Sequence, residues 1–419
     1  MRINFIYVCL LAVSCAGPAE KKEPATSYAI SEQGISETVL ENYLKRSVTM
    51  AEFLTVDPYC VDVTYPAKAD DIRLINNIGA KFIGRAIYRW GKEDMINQAG
   101  WLDSAALLVK AVHAQDSTVI FQGAIFECVT KKVNTVAVPD WAFQLMELPV
   151  EQRNFRYDSM LNKEGKYVNQ WAPGSSVPDI TRPETKLWMI FLAAKYINLG
   201  CEALHYGQID LMGMADAGYG EWAKYLAKVR TYARQHARRQ WVLMDAHTPY
   251  GGMVINDTSL LDFNAFPLRI KEVVDSPMQG VLQKGYLDAI YGRSKACVTP
   301  SGWRSEELPY LVELDNFGAS PNPGKPDTAS HFAWGYDEIT WFYLQPQEYR
   351  KQWLWYAQRW INDNDQTGYL EMPVSRLIDQ GQGKPIIKNR ANTPSAAVPD
   401  GMDLEETIKA IWQQETRKS

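Results

Sequence analysis

The sequence contains few of the residues and motifs on which most metal, redox and nucleotide sites depend. Its 419 residues include 5 histidines and 6 cysteines, and no CxxC, HxH or HExxH motif occurs. This scarcity argues against zinc ribbons, dithiol redox centres and the common zinc hydrolases. No strand candidate is followed by GxGxxG or GxxxxGKS/T, so the nucleotide-binding folds lose their main sequence support. We therefore expect neither a metal nor another cofactor.

The chain also lacks an excess of basic residues. Its 44 Lys and Arg stand against 49 Asp and Glu, which gives a formal net charge of -5. Nucleic-acid binding usually needs a basic surface, so we expect no nucleic-acid partner. The basic run from Lys224 to Arg239 is interpreted as the solvated face of a helix, because cations toward a helix C-terminus complement its dipole.

The N-terminus has the pattern of an export signal. Arg2 precedes an apolar run from Ile3 to Val13 that is too short to span a membrane stably. The letters LAVSC resemble a bacterial lipoprotein box, which implies cleavage before Cys15 and acylation of that residue. An ordinary signal peptide with a chance cysteine is the alternative.

These features predict three parts of the chain. Residues 1–14 would be the signal peptide, 15–32 a tether without a periodic apolar pattern, and 33–419 a single catalytic domain. We expect an exported lipoprotein on the periplasmic or cell-surface side of the outer membrane, held there by its lipid anchor alone. The oligomeric state is left open.

Apolar strand-like runs alternate with helical patterns along the rest of the chain. Helical spacing of apolar residues is clearest at 187–197, 222–233 and 353–361. This alternation predicts a parallel sheet, and a (β/α)8 TIM barrel with long βα loops at its C-terminal face is the economical form. The strand candidates are 81–88, 118–127, 202–209, 241–247, 260–266, 310–316, 368–374 and, more weakly, 384–389.

Polar residues cluster at the C-terminal ends of these strand candidates, where a barrel of this kind has its active site. Because buried like charges are costly, so many acids in one ring indicate a site that tunes their pKa values. Ion pairs, for instance with Arg85 or Arg269, are the structural alternative. The candidates are Glu127, His205, Gln208, Asp210, Asp245, His247, Asp262, Asn264, Glu313, Asp315 and Glu371.

The stretch YLVELDNFG, residues 310–318, places two acids in an apolar strand candidate. Because residues two apart share a strand face, Glu313 and Asp315 should lie on the side of Leu311, opposite Val312 and Leu314. The two acids would be roughly 6.5–7 Å apart along the strand. Such proximity should raise the pKa of one of them, as a general acid requires.

Two long loops follow strand candidates on the same side of the predicted barrel. They span 128–182 and 316–338, whereas βα loops usually have about two to six residues. Both contain tryptophan, in a chain that has 14 Trp and 22 Tyr. Aromatic side chains supply rigid, amphipathic contact area, so we expect lids over the site and Trp334 among the substrate-binding residues.

A ring of carboxylates beneath aromatic loops suits glycoside hydrolysis, which needs one protonated acid and one carboxylate as nucleophile or base. With the lipoprotein box and the barrel pattern, the stretches HYGQIDLMG, VLMDAHTP and LVELDNFG resemble glycoside hydrolase-like (β/α)8 lipoproteins of bacterial glycan-utilisation systems. The resemblance implies a carbohydrate substrate. Counting 241–247 as strand four, the Asn-Glu pair of the largest retaining clan is missing, and acids on strands four and six look more like the galactosidase-type clan.

On this hypothesis the catalytic residues are Asp245, Glu313 and Asp315. Two alternatives stay open. A metal-dependent hydrolase would use Asp245, His247 and His205 as ligands. A non-catalytic glycan-binding lipoprotein would keep the aromatic residues without needing the acids. The remaining predicted substrate-binding residues are Glu127, His205, Gln208, Asp210, His247, Asn264, Trp334 and Glu371.

Overall fold

The computed structural model describes residues 27–55, 68–327 and 330–416, and its centre is a closed parallel barrel. Strand β8 consists of two segments, Gly368–Leu370 and Met372–Ser375, on either side of Glu371. The first segment pairs with β7 and the second with β1, so the sheet closes and the predicted (β/α)8 barrel is confirmed. The other strands are β1 Ser47–Met50, β2 Phe82–Ile87, β3 Ile120–Ala124, β4 Ala203–Gln208, β5 Leu243–His247, β6 Asn264–Pro267 and β7 Tyr310–Glu313.

One predicted barrel strand, 384–389, is wrong. Only Ile387–Lys388 is extended there, and it pairs antiparallel with Leu377–Ile378 outside the barrel. The eighth strand of the barrel is instead β1, whose four residues are all buried. The sequence SVTM is too short to give a periodic signal, which is why it was missed.

The correction shifts the strand numbers by one. The stretch 241–247 contains β5, and 310–316 contains β7. The likeness to the galactosidase-type clan therefore fails, because β4 ends in Gln208 and no acid lies on β6. The Asn-Glu pair is also missing from β4, where Gly207 and Gln208 stand at its end.

Helices surround the barrel and join its strands. Helix α6 begins with Pro183, whose missing N–H costs nothing in a first turn, where the N–H groups have no partner within the helix. The helix ends at Leu199 and is capped by Gly200 in the left-handed region (φ 111). The helices of the described residues are α1 Glu37–Leu44, α2 Lys68–Ile78, α3 Trp101–His113, α4 Asp140–Leu145, α5 Tyr157–Met160, α6 Pro183–Leu199, α7 Ile209–Met212, α8 Gly220–His236, α9 Glu338–Tyr343, α10 Gln347–Asn364 and α11 Glu405–Thr416, with 3-10 turns at Glu93–Asn97 and Lys131–Thr135.

The connections between the barrel strands contain short strand pairs of their own. The loops after β3 and β7 are long, as the sequence predicts, and the first contains α4 and α5. The short strands are Val129–Thr130, Ser175–Ser176, Val254–Ile255, Thr258–Ser259, Lys271–Glu272, Gly280–Val281, Cys297–Val298 and Arg304–Ser305.

The side-chain alternation predicted for β7 is confirmed. Leu311 belongs to an interior cluster at the barrel floor, whereas Val312 packs in the layer between sheet and helices. Helix α1 closes that floor with Leu40 and Tyr43, which lie in the same cluster as Leu311. Because the floor is sealed with apolar side chains, the polar interior residues open only toward the opposite end.

The predicted signal peptide and most of the tether, including Cys15, lie outside the described residues. The last tether residues do not: Tyr28 stacks edge-on against Tyr43, with ring centroids 5.0 Å apart. The Tyr43 hydroxyl donates to the Tyr28 carbonyl at 2.9 Å, so this segment packs under the barrel floor. Within the described residues, none of the helices combines the length and apolarity needed to cross a bilayer.

Candidate active site

An open cavity of about 390 Å³ lies at the C-terminal end of the barrel. Its floor contains Arg85 from β2, His247 from β5 and Arg376, which directly follows β8. The loops after β2, β3 and β7 supply much of its walls. Barrel enzymes place their active sites on this face, and ligand pockets usually measure about 300–1,000 Å³.

Glu313 on β7 is held between two guanidinium groups beneath the cavity. Arg85 donates to its Oε1 and Arg376 to its Oε2, and His247 Nε2 lies 3.1 Å from Oε1. Burial alone would raise the pKa of Glu313, but Arg376 and Arg85 outweigh it and hold the pKa well below its ordinary value. The prediction that one of these two acids has a raised pKa is therefore wrong for Glu313.

Asp315 lines the cavity and is bound by Arg376, the residue that also binds Glu313. Arg376 Nη2 donates to Asp315 Oδ1 at 2.9 Å, and the Asn316 backbone N–H donates to that oxygen at 2.8 Å. Among the described residues, the hydrogen bonds of this carboxylate fall on Oδ1, and the side chain stays 18% exposed. Oδ2 is thus left for a ligand.

Asp245 on β5 lies deeper, at the centre of a buried hydrogen-bonded group. Its Oδ1 accepts from Gln122 Nε2, and its Oδ2 lies 2.6 Å from His205 Nδ1. Burial raises the pKa of Asp245 well above its ordinary value and lowers that of His205 well below its own. Both side chains are 0% exposed, so Asp245 supports the cavity from below and does not line it.

Glu371 occupies the gap between the two segments of β8 and points into the barrel. Its Oε2 accepts from the Thr49 hydroxyl at 2.8 Å, and its Oε1 has no partner among the described residues. Burial raises the pKa of Glu371 to about 7, although Arg85 opposes the shift. A Cβ on Gly84 would overlap Oε1, so glycine at this point of β2 leaves room for the Glu371 carboxylate.

Glu127 forms the wall opposite Asp315. It follows β3, four strands around the barrel from β7, and both of its carboxylate oxygens accept from Gln208: Oε2 from the backbone N–H at 2.9 Å and Oε1 from Nε2 at 3.0 Å. Its carbonyl accepts from Trp171 Nε1 at 2.9 Å. Gly207 has φ 49, and a Cβ there would overlap Glu127 Oε2, so glycine is required.

Aromatic rings line the side of the cavity next to Glu127. Trp90 lies edge-on to Trp171 with centroids 5.1 Å apart, and Phe126 packs against Trp90 at 5.7 Å and Tyr88 at 5.2 Å. On the far side Phe317 lines the cavity while 40% exposed. Rings and carboxylates together form a surface for a ligand with both apolar faces and hydroxyl groups.

The predicted site residues fall into three groups. Four line the cavity: Glu127, Gln208, His247 and Asp315. Four lie buried within the barrel: His205, Asp245, Glu313 and Glu371. The last three lie outside the cavity lining: Asp210 on α7, Asn264 at the N-terminal end of β6, and Trp334, which is 4% exposed and donates through Nε1 to the Gln279 carbonyl. The prediction that Asn264 stands at the C-terminal end of its strand is therefore wrong.

The predicted set lacks several cavity residues. Tyr88 and Trp90 directly follow β2, a position that the barrel pattern marks as the rim, so their place in the chain was a usable signal. Arg376 had no such signal, because it lies outside any strand and its two carboxylate partners are more than sixty residues away. Asp262, a candidate from the sequence, is buried and pairs with Arg230 Nη2 at 3.0 Å, as the salt-bridge alternative predicts.

The histidines of the barrel interior are bound to carboxylates. His205 Nδ1 lies against Asp245 and His247 Nε2 against Glu313, and the two rings are 4.9 Å apart. Across the described ranges, no three His, Cys, Asp or Glu side chains are grouped in a way that would hold a metal ion.

Comparison with known proteins finds likeness in structure and not in sequence. No protein-family model and no curated protein matches the chain. The cyclic α-maltosyl-(1→6)-maltose hydrolase of Arthrobacter globiformis superposes with a TM-score of 0.50 at 12% identity, over 88% of this chain and 82% of that one. The shared feature is the fold.

Other similar structures are glycoside hydrolases as well. A debranching enzyme of Nostoc punctiforme gives a TM-score of 0.47 at 10% identity, over 90% of this chain and 82% of that one. Against another structure of that enzyme the match spans about half of each chain, 54% and 52%, with a TM-score of 0.33. The glycoside hydrolase domain of PelA from Pseudomonas aeruginosa matches with a TM-score of 0.38 at 9% identity, over 78% and 93%.

Proposed function

We propose that the protein is a glycoside hydrolase in which Glu127 and Asp315 are the carboxylates that meet the substrate. The observation that carries this proposal is that two acids from opposite sides of the barrel, after β3 and on the β7 side, line one aromatic-walled cavity. A glycosidic bond placed between them would have an acid on each side, as two-carboxylate hydrolysis requires.

The surroundings of the two acids divide their roles. Asp315 is ion-paired with Arg376, so it serves as the anionic group, either nucleophile or base. Glu127 forms no ion pair among the described residues, so it is the carboxylate to which we assign the acid role at the leaving oxygen. Arg376 is a positioning residue, because Glu313 fixes its guanidinium from below while its other nitrogen holds Asp315.

The charges around the cavity favour a neutral glycan. Glu127, Asp315 and Asp379 line it, while its two guanidinium groups, Arg85 and Arg376, are already paired with Glu313. An acidic sugar would therefore meet carboxylates without a free cation among the lining residues. Aromatic walls supply the apolar faces on which neutral sugar rings stack.

The test is turnover of glycans by the purified protein. Neutral, amino and uronic-acid polysaccharides are incubated with it, and released reducing ends are measured. We expect release from at least one neutral glycan and little from uronic-acid glycans. Binding without release from any substrate would contradict the hydrolase and favour the non-catalytic glycan-binding alternative.

Chelators are expected to leave this turnover unchanged. His205 and His247 each direct a ring nitrogen to a buried carboxylate, so we propose that they orient acids and do not hold a metal. Activity is measured before and after dialysis against EDTA, with metal content by mass spectrometry. Loss of activity that zinc or another divalent ion restores would favour the metal-dependent hydrolase.

We further propose that the protein is an exported lipoprotein, on the strength of the small residues that precede Cys15. Cys15→Ala is expected to leave the protein unlipidated and to release it from the membrane fraction, without changing the thermal stability of the barrel. Fractionation and mass spectrometry of the mature N-terminus measure both effects. An unmodified N-terminus at another residue in the wild type would contradict the proposal.

A further inference from the structure

One wall of the cavity lies where the loops after β7 and β8 meet. Phe317 from the first loop and Asp379 from the second both line the cavity. A Cβ on Gly318 would lie 3.8 Å from Asp379 Oδ2, so this carboxylate oxygen borders the first loop at the residue after Phe317. The contact between the loops continues, since a Cβ on Gly381 would come within 2.9 Å of Ala319 Cβ. The ring and the carboxylate therefore belong to one part of the cavity wall.

The first turn of α9 holds both loops. Asp337 Oδ2 accepts from the N–H groups of Phe317 at 3.1 Å and Gly318 at 2.8 Å. Its Oδ1 accepts from the Thr340 N–H at 2.8 Å, and the Thr340 hydroxyl accepts from the Asp379 N–H at 3.2 Å. Because one turn fixes the backbone of both residues, a ligand that contacts them together has less disorder to overcome.

Each of the two side chains keeps a surface on which a ligand can bind. Phe332 packs against Phe317 with ring centroids 5.3 Å apart, yet Phe317 remains 40% exposed. Asp379 Oδ1 accepts from the Gly381 N–H at 2.9 Å. Across the described ranges, the hydrogen bonds of this carboxylate fall on Oδ1, which leaves Oδ2 as an acceptor. A ring beside an acceptor suits a sugar, whose apolar face stacks on the ring while a neighbouring hydroxyl donates to the oxygen.

We propose that Phe317 and Asp379 form a subsite that binds one neutral sugar unit next to Asp315. The sugar stacks on Phe317 and donates a hydroxyl hydrogen bond to Asp379 Oδ2. A uronic acid in this place would set its own carboxylate against that of Asp379, so the subsite selects for a neutral unit. This inference rests on the proposed function for the identity of the ligand as a glycan.

The subsite also narrows the substrate class. Trp90 and Trp171 line the cavity beside Glu127, so aromatic rings stand next to both of the proposed carboxylates. A glycosidic bond between the two acids would then have a sugar bound on each side. The substrate is accordingly a glycan with sugar units on both sides of the cleaved bond, and not a glycoside of a small non-sugar group.

The experiment measures trisaccharide binding by calorimetry, with cellotriose, mannotriose and maltotriose as neutral probes. Every protein compared carries Glu127→Gln, so that hydrolysis does not consume the probe, and the protein with this change alone is the parent. The parent should bind at least one neutral probe. Phe317→Ala should weaken that binding about tenfold, the order expected for one lost stacking contact. Phe317→Tyr, which keeps the ring, should bind like the parent.

Asp379→Asn tests the carboxylate by its charge. The amide keeps an oxygen for the Gly381 N–H and replaces Oδ2 by a neutral donor. It should weaken the neutral probe about fivefold, because hydrogen bonds to charged groups are stronger than those to neutral ones. Triglucuronic and trimannuronic acid should bind no more weakly than to the parent, because the repelling charge is gone. A merely structural defect would weaken both classes of probe.

Trp141→Ala is the matched surface control, because Trp141 on α4 is 37% exposed and lies outside the cavity lining. Unchanged affinity for the neutral probe in Phe317→Ala or in Asp379→Asn would overturn the subsite, and so would failure of both the parent and the wild type to bind any neutral probe. Turnover of the same probes by the wild type is measured separately. Binding that depends on both residues, without cleavage, would reject the hydrolase while supporting the subsite.

Discussion

Glu313→Gln is expected to destabilise the folded protein by about 3–5 kcal/mol, the usual consequence of removing one partner from a buried ion pair. Glu313 neutralises both Arg85 and Arg376, and all three side chains are almost fully buried. An amide would leave Arg85 without its paired anion and Arg376 with Asp315 alone, in a medium that solvates charge poorly. The free energy of unfolding by urea, at pH 7, measures the loss.

Glu371→Gln is the matched control, because it makes the same chemical change in the same barrel interior. The pKa of Glu371 is raised from 4.5 to about 7, so the folded state keeps a proton that the unfolded state releases. That proton stabilises the fold fully below pH 4.5, and the contribution is lost as the pH rises through about 7. Glu371→Gln should therefore match the wild type near pH 5 and exceed its stability near pH 8. Equal destabilisation by both variants at all pH values would contradict this account.

Asp315→Asn and Glu127→Gln are each expected to lower kcat by about 10²-fold or more, the order associated with losing an acid or base group. Both substitutions keep the shape of the side chain. Arg376 retains Glu313 in the first variant, and Gln208 retains an oxygen acceptor in the second, so thermal stability should change little. Turnover is measured on the glycan that the wild type hydrolyses best.

Asp245→Asn separates the hypothesis drawn from the sequence from that drawn from the structure. Asp245 is 0% exposed and burial raises its pKa well above the ordinary value, so an amide is a close replacement for this buried carboxyl group. We expect its effect on kcat to stay below about tenfold, less than that of an acid–base group. A loss as large as that of Asp315→Asn would restore Asp245 to the catalytic pair.

Added azide should also rescue part of the turnover of Asp315→Ala, because a small anion fills the place of the carboxylate.

The features of the fold that follow from periodicity were predictable from the sequence. The two faces of β7 are an example. Alternation along a strand places Leu311 and Glu313 on the same face, and this does not depend on which strands lie beside it. Strand β1 was not predictable in this way: four residues give no period, and its place is defined only by the partners on either side. The false strand at 384–389 shows the converse, since a short apolar run alone does not determine its pairing.

The electrostatics of the site depend on contacts between distant residues and were less predictable. Glu313 and Asp315 are two residues apart in the sequence. Repulsion between their charges raises a pKa only where no cation lies between the two carboxylates. Arg376 lies 61 residues beyond Asp315 and places one guanidinium nitrogen on each acid. The sequence identified the acids, and the fold determined which of them has its pKa lowered by neighbouring cations, which have it raised by burial and which reach the cavity.

The division between a strand-borne interior and loop-borne walls has a consequence for how such proteins diverge. Arg85, Asp245, Glu313 and Glu371 lie on or within strands, whereas Trp171 and Phe317 lie on loops. Under the proposed function, exchange of a loop residue is expected to change which sugar is accepted without disturbing the buried charges of the barrel interior. In descendants of a common ancestor, we therefore expect the interior to be inherited nearly intact while loop residues such as those of 126–182 vary with the ligand.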